Sequence, residues 1–260
     1  MGKSISIVNQ KGGVGKTTTA INLASALALY KQRSLIIDMD PQSNATSGLG
    51  FTGKSPTVYD MLVKGRNPEE VIKKTNIEGL DIIPSDISLV GAEVELVDVR
   101  GREMQLKRKI MPLKREYDFI LIDAPPSLGL LTVNTLVGSD SVLIPIQTEF
   151  YAMEGLSKLL NTVRSIQKEL NSRLTIEGVL LTLFDTRLNL ANDVTTEVCK
   201  YFGDKVYEVI IPRNVRLAEA PSYGKNIFDY DSTSRGAEVY KMLALEVMRR
   251  NGKTGTWQRV

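Results

Sequence analysis

Lys11-Gly12-Gly13-Val14-Gly15-Lys16-Thr17-Thr18-Thr19 is the stretch that decides the fold of this chain. The apolar residues Ile5, Ile7 and Val8 stand directly before it, and a long helical pattern, Ala20 to Tyr30, follows it. Strand, glycine-rich turn and helix is the setting a phosphate-binding loop requires. Glycines let backbone N–H groups turn inward around phosphate oxygens. The first turn of the next helix adds unpaired N–H groups and the positive end of its dipole. In this pattern Lys16 reaches the outer phosphates and Thr17 offers its hydroxyl to a magnesium ion.

The match to the general pattern departs at one place. Gln10 stands where the first glycine is expected, and an extra lysine, Lys11, sits at the mouth of the loop. Two lysines place two positive charges near a triphosphate. The residues alone leave open whether Lys11 serves its own nucleotide or a partner's.

Composition narrows the remaining chemistry. The 260 residues contain no histidine and one cysteine, Cys199. Histidine bases, histidine metal ligands, an intrachain disulfide framework and a four-cysteine cluster are therefore excluded within the chain. Acid–base and metal chemistry falls to carboxylates and hydroxyls. The net charge of +3 is close to balance, so nucleic-acid binding would need localised charge. No apolar run approaches the roughly 18 residues of a membrane span. The chain opens directly into a strand without a secretory pattern, and a cytoplasmic protein is expected.

Strands and helices alternate along the chain. Ser34 to Asp40 reads as a buried parallel strand delivering carboxylates at its carboxyl end. Residues 43–56 read as a surface loop, Val58 to Val63 as a short helix and Leu80 to Ile83 as a strand. Residues 89–116 read as one helical region with an apolar face of Leu96, Val99, Met104, Leu106, Ile110 and Leu113. Its basic run, Arg100 to Arg115, reads first as a solvated face and second as part of a nucleic-acid or partner surface. Tyr117 to Asp123 is a strand stopped by Pro125-Pro126. Ser141 to Ile146, Ile176 to Leu183 and Val206 to Ile211 are further strands. Met153 to Leu170, Asn189 to Tyr201 and Arg235 to Arg249 are further helices.

The expected fold is α/β: a single P-loop NTPase domain over residues 1–250, a doubly wound, mostly parallel sheet with helices on both faces. Residues 251–260 read as a loosely held tail. Right-handed crossovers bring Gly12 to Thr17, Asp38, Asp40 and Asp123 to one sheet edge. Phosphoryl transfer needs charge neutralisation, magnesium and an oriented nucleophile. Lys16 supplies the first, Thr17 is the direct metal candidate, and Asp123 closes its strand as the metal-site carboxylate, through a water. Asp40, at the strand exit, is preferred for positioning the attacking water. Asp38 stands between magnesium surroundings and scaffold support.

Five stretches carry a family resemblance: K-G-G-V-G-K-T-T at 11–18, D-M-D-P-Q-S-N-A-T-S-G-L-G at 38–50, L-I-D-A-P-P at 121–126, Q-T-E-F-Y-A-M-E-G-L at 147–156 and I-P-R-N-V-R-L-A-E-A-P-S-Y-G-K at 211–225. Together they resemble the ParA/Soj partition ATPases, from Ser4 to about Arg249. The first motif is shared with the wider deviant Walker-A group, while the later ones are more specific to partition proteins. Ser43 stands where glycine is common.

The resemblance implies ATP and Mg2+ as cofactors and an ATP-dependent sandwich homodimer. The nucleotide is then held by Lys11, Gly12, Gly13, Val14, Gly15, Lys16, Thr17 and Thr18, with Glu149, Pro212 and Asn214 contributing. Lys11 resembles the signature lysine that reaches the neighbouring subunit's phosphates, Gly12 lies at that interface, and Asp40 matches the water-activating aspartate. Pro212 and Asn214 resemble the segment near adenine. Arg187 and Arg216 match basic residues that bind double-stranded DNA without sequence preference. A centromere-binding ParB-type protein is the implied partner, and nucleoid association follows. Two relatives in the wider group fit less well. A division-site ATPase would want a terminal amphipathic helix, and an electron-transfer iron protein would want paired cysteines at the dimer seam. A non-catalytic ATP-binding module would not need Thr17, Asp40 and Asp123 together.

Overall fold

The structure is a computed structural model, and it describes residues 1–52, 56–149 and 152–257. Among the described residues seven strands form one sheet: β1 (Lys3–Ile7), β2 (Ser34–Asp38), β3 (Lys73–Lys74), β4 (Leu80–Ile83), β5 (Phe119–Asp123), β6 (Ser141–Gln147) and β7 (Thr175–Thr182). Their spatial order is β3-β4-β2-β5-β1-β6-β7, and only the two-residue edge strand β3 runs antiparallel to its neighbour. The helices are α1 (Lys16–Leu29), α2 (Asn44–Gly48), α3 (Val58–Leu62), α4 (Pro68–Val71), α5 (Leu89–Glu95), α6 (Gln105–Ile110), α7 (Leu130–Gly138), α8 (Ala152–Glu169), α9 (Asn189–Phe202), α10 (Val215–Glu219), α11 (Ile227–Asp231) and α12 (Arg235–Arg250).

Both faces of the sheet are covered, which is why the central strands are apolar throughout. Alternation along β5 sends Phe119 and Leu121 into a core with α1 and α12, and Ile120 and Ile122 into a core with α3, α5 and α6. Val142 and Ile144 of β6 meet α8 and α9 in a third cluster. The single doubly wound α/β domain expected from the alternation is the fold observed.

Three local expectations give way. Residues 43–56 hold the helix α2 rather than an open loop, because Thr46 donates from both its N–H and its hydroxyl to buried Asp38. Residues 53–55 of that stretch lie outside the described residues. The helical region 89–116 is broken into α5, α6 and two 3-10 turns. Gly101 takes a left-handed φ of 71°, and Pro112 cannot donate to a helical ladder. Residues 206–211 run beside β7 but form no strand, only bridges at Val206 and Pro212. The N–H groups of Glu208 and Val209 donate instead to the Glu246 carboxylate on α12.

Residues 251–257 fold back over the core. Lys253 pairs with Asp118 at 2.6 Å, and Gln32 donates to the Thr254 carbonyl. The Trp257 ring meets Tyr30 and Phe228 at centroid distances of 4.7 and 5.6 Å. Residues 258–260, and Phe150 and Tyr151 of the motif at 147–156, lie outside the described residues.

Candidate nucleotide site

The loop between β1 and α1 is pinned at both ends. Asn9 donates to the Pro145 carbonyl and accepts from the Lys11 N–H. Farther along, the Thr182 hydroxyl donates to the Val14 carbonyl at 2.9 Å, and Val14 is buried. Gly13 and Gly15 take φ of 75° and 84°, a region open mainly to glycine. Gly15 is the N-cap of α1 and supplies no side-chain cap. The first-turn N–H groups of a 14-residue helix are therefore left to an outside acceptor, with the helix dipole favouring an anion.

Three strand ends deliver the charges. In register, Asp38 of β2 and Ile7 of β1 both face Asp123 of β5. Lys16 is almost fully buried, and its ammonium donates to the Lys11 carbonyl at 3.2 Å. Burial lowers its pKa, while the charges of Asp123 and Asp40 hold it up. Asp38 is buried and engaged by its own chain, accepting from Thr46 twice and from the Asp40 N–H. Burial raises its pKa to about 6 against those hydrogen bonds. These bonds hold the Asp38 carboxylate within its own chain. Asp40 holds the Gln42 N–H with one carboxylate oxygen.

Asp123 is different. It is fully buried, and neither carboxylate oxygen has a hydrogen-bond partner of normal geometry. Burial and the nearby Asp38 charge push its pKa well above the usual carboxylate range, against the pull of the Thr17 hydroxyl and Lys16. A buried carboxylate left without a partner is costly unless a cation completes it. Among the described residues no three carboxylates or thiols gather into a full metal cage. That donor set suits magnesium, which keeps waters and phosphate oxygens in its shell.

At the mouth of the loop, Lys11 pairs with Glu149 of its own chain, and both are about half exposed. Glu149 also accepts from Gln147. A Cβ built on exposed Gly12 meets nothing within 4 Å, so no contact inside the chain demands glycine there. Beside the loop, Thr18, Thr182, Pro212, Asn214 and Leu217 line a mostly apolar slot of about 80 Å³. Asn214 caps α10 through its side-chain oxygen, which leaves its amide N–H groups for a ligand.

The two arginines stand apart from this cluster. Arg187 is 81% exposed and pairs with Asp185; Arg216 is 55% exposed and pairs with Glu219 and Asp231. Both follow segments joined at the Phe184–Pro212 bridge. Sequence reasoning missed the supports Asn9, Thr46 and Thr182, whose polar side chains carry no motif and act only through distant partners.

A profile described as AAA domain matches residues 2–176. Sporulation initiation inhibitor protein Soj of Bacillus subtilis (strain 168) is 59% identical over 249 residues, covering 95% of this chain and 98% of that protein. The chain belongs to the ParA/Soj family of partition ATPases. Chromosome-partitioning ATPase Soj of Treponema pallidum (strain Nichols) is 50% identical, over 97% of this chain and all of that one. The fold extends beyond these relatives. Cobyrinic acid a,c-diamide synthase from Mycobacterium smegmatis, solved with a bound ATP analogue and magnesium, superposes with a TM-score of 0.84. It is 33% identical, and each chain is 99% covered.

Proposed function

We propose that this partition ATPase uses MgATP to form a sandwich dimer that binds duplex DNA without sequence preference. A ParB-type centromere-binding protein then stimulates hydrolysis, and the cycle moves chromosomal or plasmid DNA. The unpartnered Asp123 carboxylate beside Lys16 and the uncapped start of α1 is the observation that carries the reading. An anion at the helix start and a cation at Asp123 satisfy both deficits, and MgATP brings the two together.

The residues divide the work. The N–H groups of Gly13 to Thr18 and the Lys16 ammonium hold the phosphates. Thr17 directly, and Asp123 through a water, would hold magnesium, which supplies charge neutralisation at the phosphates. Asp38 holds the Asp40 backbone, and Asp40 orients the attacking water. The slot at Pro212 and Asn214 takes the adenine. Lys11 leaves its exposed pair with Glu149, an interaction worth at most about 1 kcal/mol, to reach the partner's phosphates. Open space at Gly12 then matters between subunits rather than within one. Arg187 and Arg216 contact DNA phosphates after exchanging their own carboxylates for them. Cytoplasmic, nucleoid-associated localisation follows from that binding. Among the described residues no helix is long and apolar enough to cross a membrane.

The test is ATP turnover measured with neither, either and both of generic duplex DNA and the ParB-type protein. Stimulation greatest with both is expected. A rate indifferent to both would reject the partition cycle, and no turnover at all would reject hydrolysis.

A further inference from the structure

Two glycines from distant parts of the chain meet backbone to backbone beside the site. Gly50 follows α2, Gly224 follows the 3-10 turn Ala220–Tyr223, and both hold a left-handed φ, 79° and 63°. A Cβ built on Gly224 would lie 2.8 Å from the Gly50 Cα and 3.2 Å from its nitrogen. One built on Gly50 would lie 3.1 Å from the Gly224 carbonyl oxygen. Carbon atoms rest about 3.5–4.0 Å apart, so a side chain at Gly224 would force the two backbones apart by roughly 1 Å. Neither backbone can swing aside as a flexible side chain would. A second close point lies next to them: a Cβ on Gly48 of α2 would meet Ile21 of α1 at 2.7 Å and Pro221 at 3.6 Å.

Each glycine ends a run of hydrogen bonds that starts at a candidate residue of the nucleotide site. On one side, the Ser43 N–H donates to the Asp40 carbonyl, the Ser47 N–H to the Ser43 carbonyl and the Gly50 N–H to the Ser47 carbonyl, each at 2.9 Å. Thr46, within that run, donates to Asp38. On the other side, the Asn214 side-chain oxygen accepts from the Leu217 N–H, the Arg216 carbonyl from the Ala220 N–H and the Pro221 carbonyl from the Gly224 N–H. The first run begins at the aspartate assigned to the attacking water. The second begins at a residue that lines the slot assigned to adenine.

We propose that the Gly50–Gly224 contact is a clasp that sets the position of Asp40 from the base side of the nucleotide, which makes both glycines positioning residues for hydrolysis. The segment lining the slot and the segment carrying Asp40 then move as one body. A nucleotide seated at Asn214 fixes where the Asp40 carboxylate meets the attacking water. A misplacement of about 1 Å at a reacting group costs on the order of a hundredfold in rate. The contact also gives a reason for glycine in S-G-L-G at 47–50 and P-S-Y-G-K at 221–225, which phosphate binding leaves unexplained. The inference rests on the proposed role of Asp40 and names what holds that residue in place.

The test measures kcat and KM for ATP in the full chain for Gly50→Ala, Gly224→Ala and the double variant, with kcat counted per nucleotide-binding site. Gly65→Ala is the control: Gly65 holds a φ of 75° with nothing within 4 Å of its built Cβ, so its substitution brings backbone strain without a contact. In Gly224→Ala, kcat is expected to fall by about tenfold to a hundredfold while KM moves by less than about threefold. The control stays within about twofold of the wild type, and the double variant loses no more than the worse single, because all three break one contact. A Gly224→Ala rate equal to the control's overturns the clasp, and so do losses that multiply in the double variant. An Asp40→Ala variant that still hydrolyses ATP would instead remove the reading beneath it. Should the variants fail to fold, amide hydrogen exchange of the wild type with and without MgADP replaces them. The N–H groups of Gly50 and Phe51, bonded to Ser47 and Thr46, are expected to slow together with those of Gly224 and Lys225, bonded to Pro221 and Ala220. Slowing confined to Gly224 and Lys225, or to neither pair, defeats the proposal.

Discussion

Asp123 and Asp140 stand at opposite edges of the same sheet and live in opposite electrostatic worlds. Asp140, just before β6, accepts from the Ser4 N–H and hydroxyl and pairs with buried Lys114 at 2.7 Å. Burial pushes its pKa up, but Lys114 and Ser4 win, and the carboxyl sits below its ordinary value. Asp123, at the carboxyl end of β5, has no such partner and is driven the other way. The amino edge is finished by its own chain; the carboxyl edge is left for something that arrives. Loops at the carboxyl ends of parallel strands are where open α/β sheets bind ligands, and here the unfilled hydrogen bonds mark the same end.

The largest expected effect separates chemistry from scaffold at the carboxyl edge. Asp40→Ala lowers turnover by about 10²–10⁴-fold, the usual weight of a positioned base, while ATP binding and the ATP dimer persist. Phosphate release measured alongside sedimentation checks both halves; unchanged release would strip Asp40 of its role.

Substituting both aspartates tests the comparison itself, because the signs are opposite. Asp123→Asn removes a buried carboxyl whose burial cost and repulsion from Asp38 outweigh the pull of Lys16 and Thr17, and it raises the stability of the nucleotide-free protein by about 1–3 kcal/mol, even as turnover is lost. Asp140→Asn strands the Lys114 ammonium and lowers stability by about 1–3 kcal/mol, below the range for fully buried pairs because Asp140 is partly exposed. Urea unfolding of the two variants reads both. If they shift together, the two edges are not different in kind.

A pH titration reads the same contrast more gently. Asp38 has a folded pKa of about 6 against an ordinary value of 3.8, so the native state holds its proton longer than the unfolded chain. Stability of the nucleotide-free protein from this group is full below about pH 4 and falls as pH rises toward 6. Asp140 contributes with the opposite sign: its stabilisation is present above its unfolded pKa and fades as acid protonates it. Unfolding free energies between pH 4 and 7 should slope downward in the wild type and more steeply in Asp140→Asn. Asp123, raised further by burial and by Asp38, adds to the same downward slope, and a wild-type slope that rises across that window contradicts both raised carboxyls.

The smallest effect concerns exposed charges, where both free ends are already paired. Arg187→Ala or Arg216→Ala removes two contacts from a dimer and lowers the logarithmic salt slope of DNA affinity by about 1.8. Two unrelated duplexes should weaken alike. A slope change confined to one duplex would mean base recognition rather than phosphate contact.

The glycine loop, Asp40 and Asp123 were legible because each lies next to its cue: an apolar run that ends, glycines that free φ, a proline that stops the strand. Short-range signals of that kind also foretold every strand of the parallel core, and the five motifs placed the chain in its family. The supports of the site were not legible. Thr46 reaches back eight residues to Asp38, Thr182 reaches across 168 residues to Val14, and Glu246 satisfies the backbone of a segment that periodicity alone reads as a strand.

By itself the sequence determined the doubly wound fold, the phosphate loop and the carboxylates at its rim, because strand periodicity and glycine conformation are local properties of the chain. Only the tertiary structure decided that Asp38 accepts three hydrogen bonds from Thr46 and Asp40 while Asp123 has none of normal geometry. It also turned one apolar face of α5 outward. Hydrogen-bond satisfaction and exposure depend on which distant groups meet, and no window of sequence contains both members of those pairs.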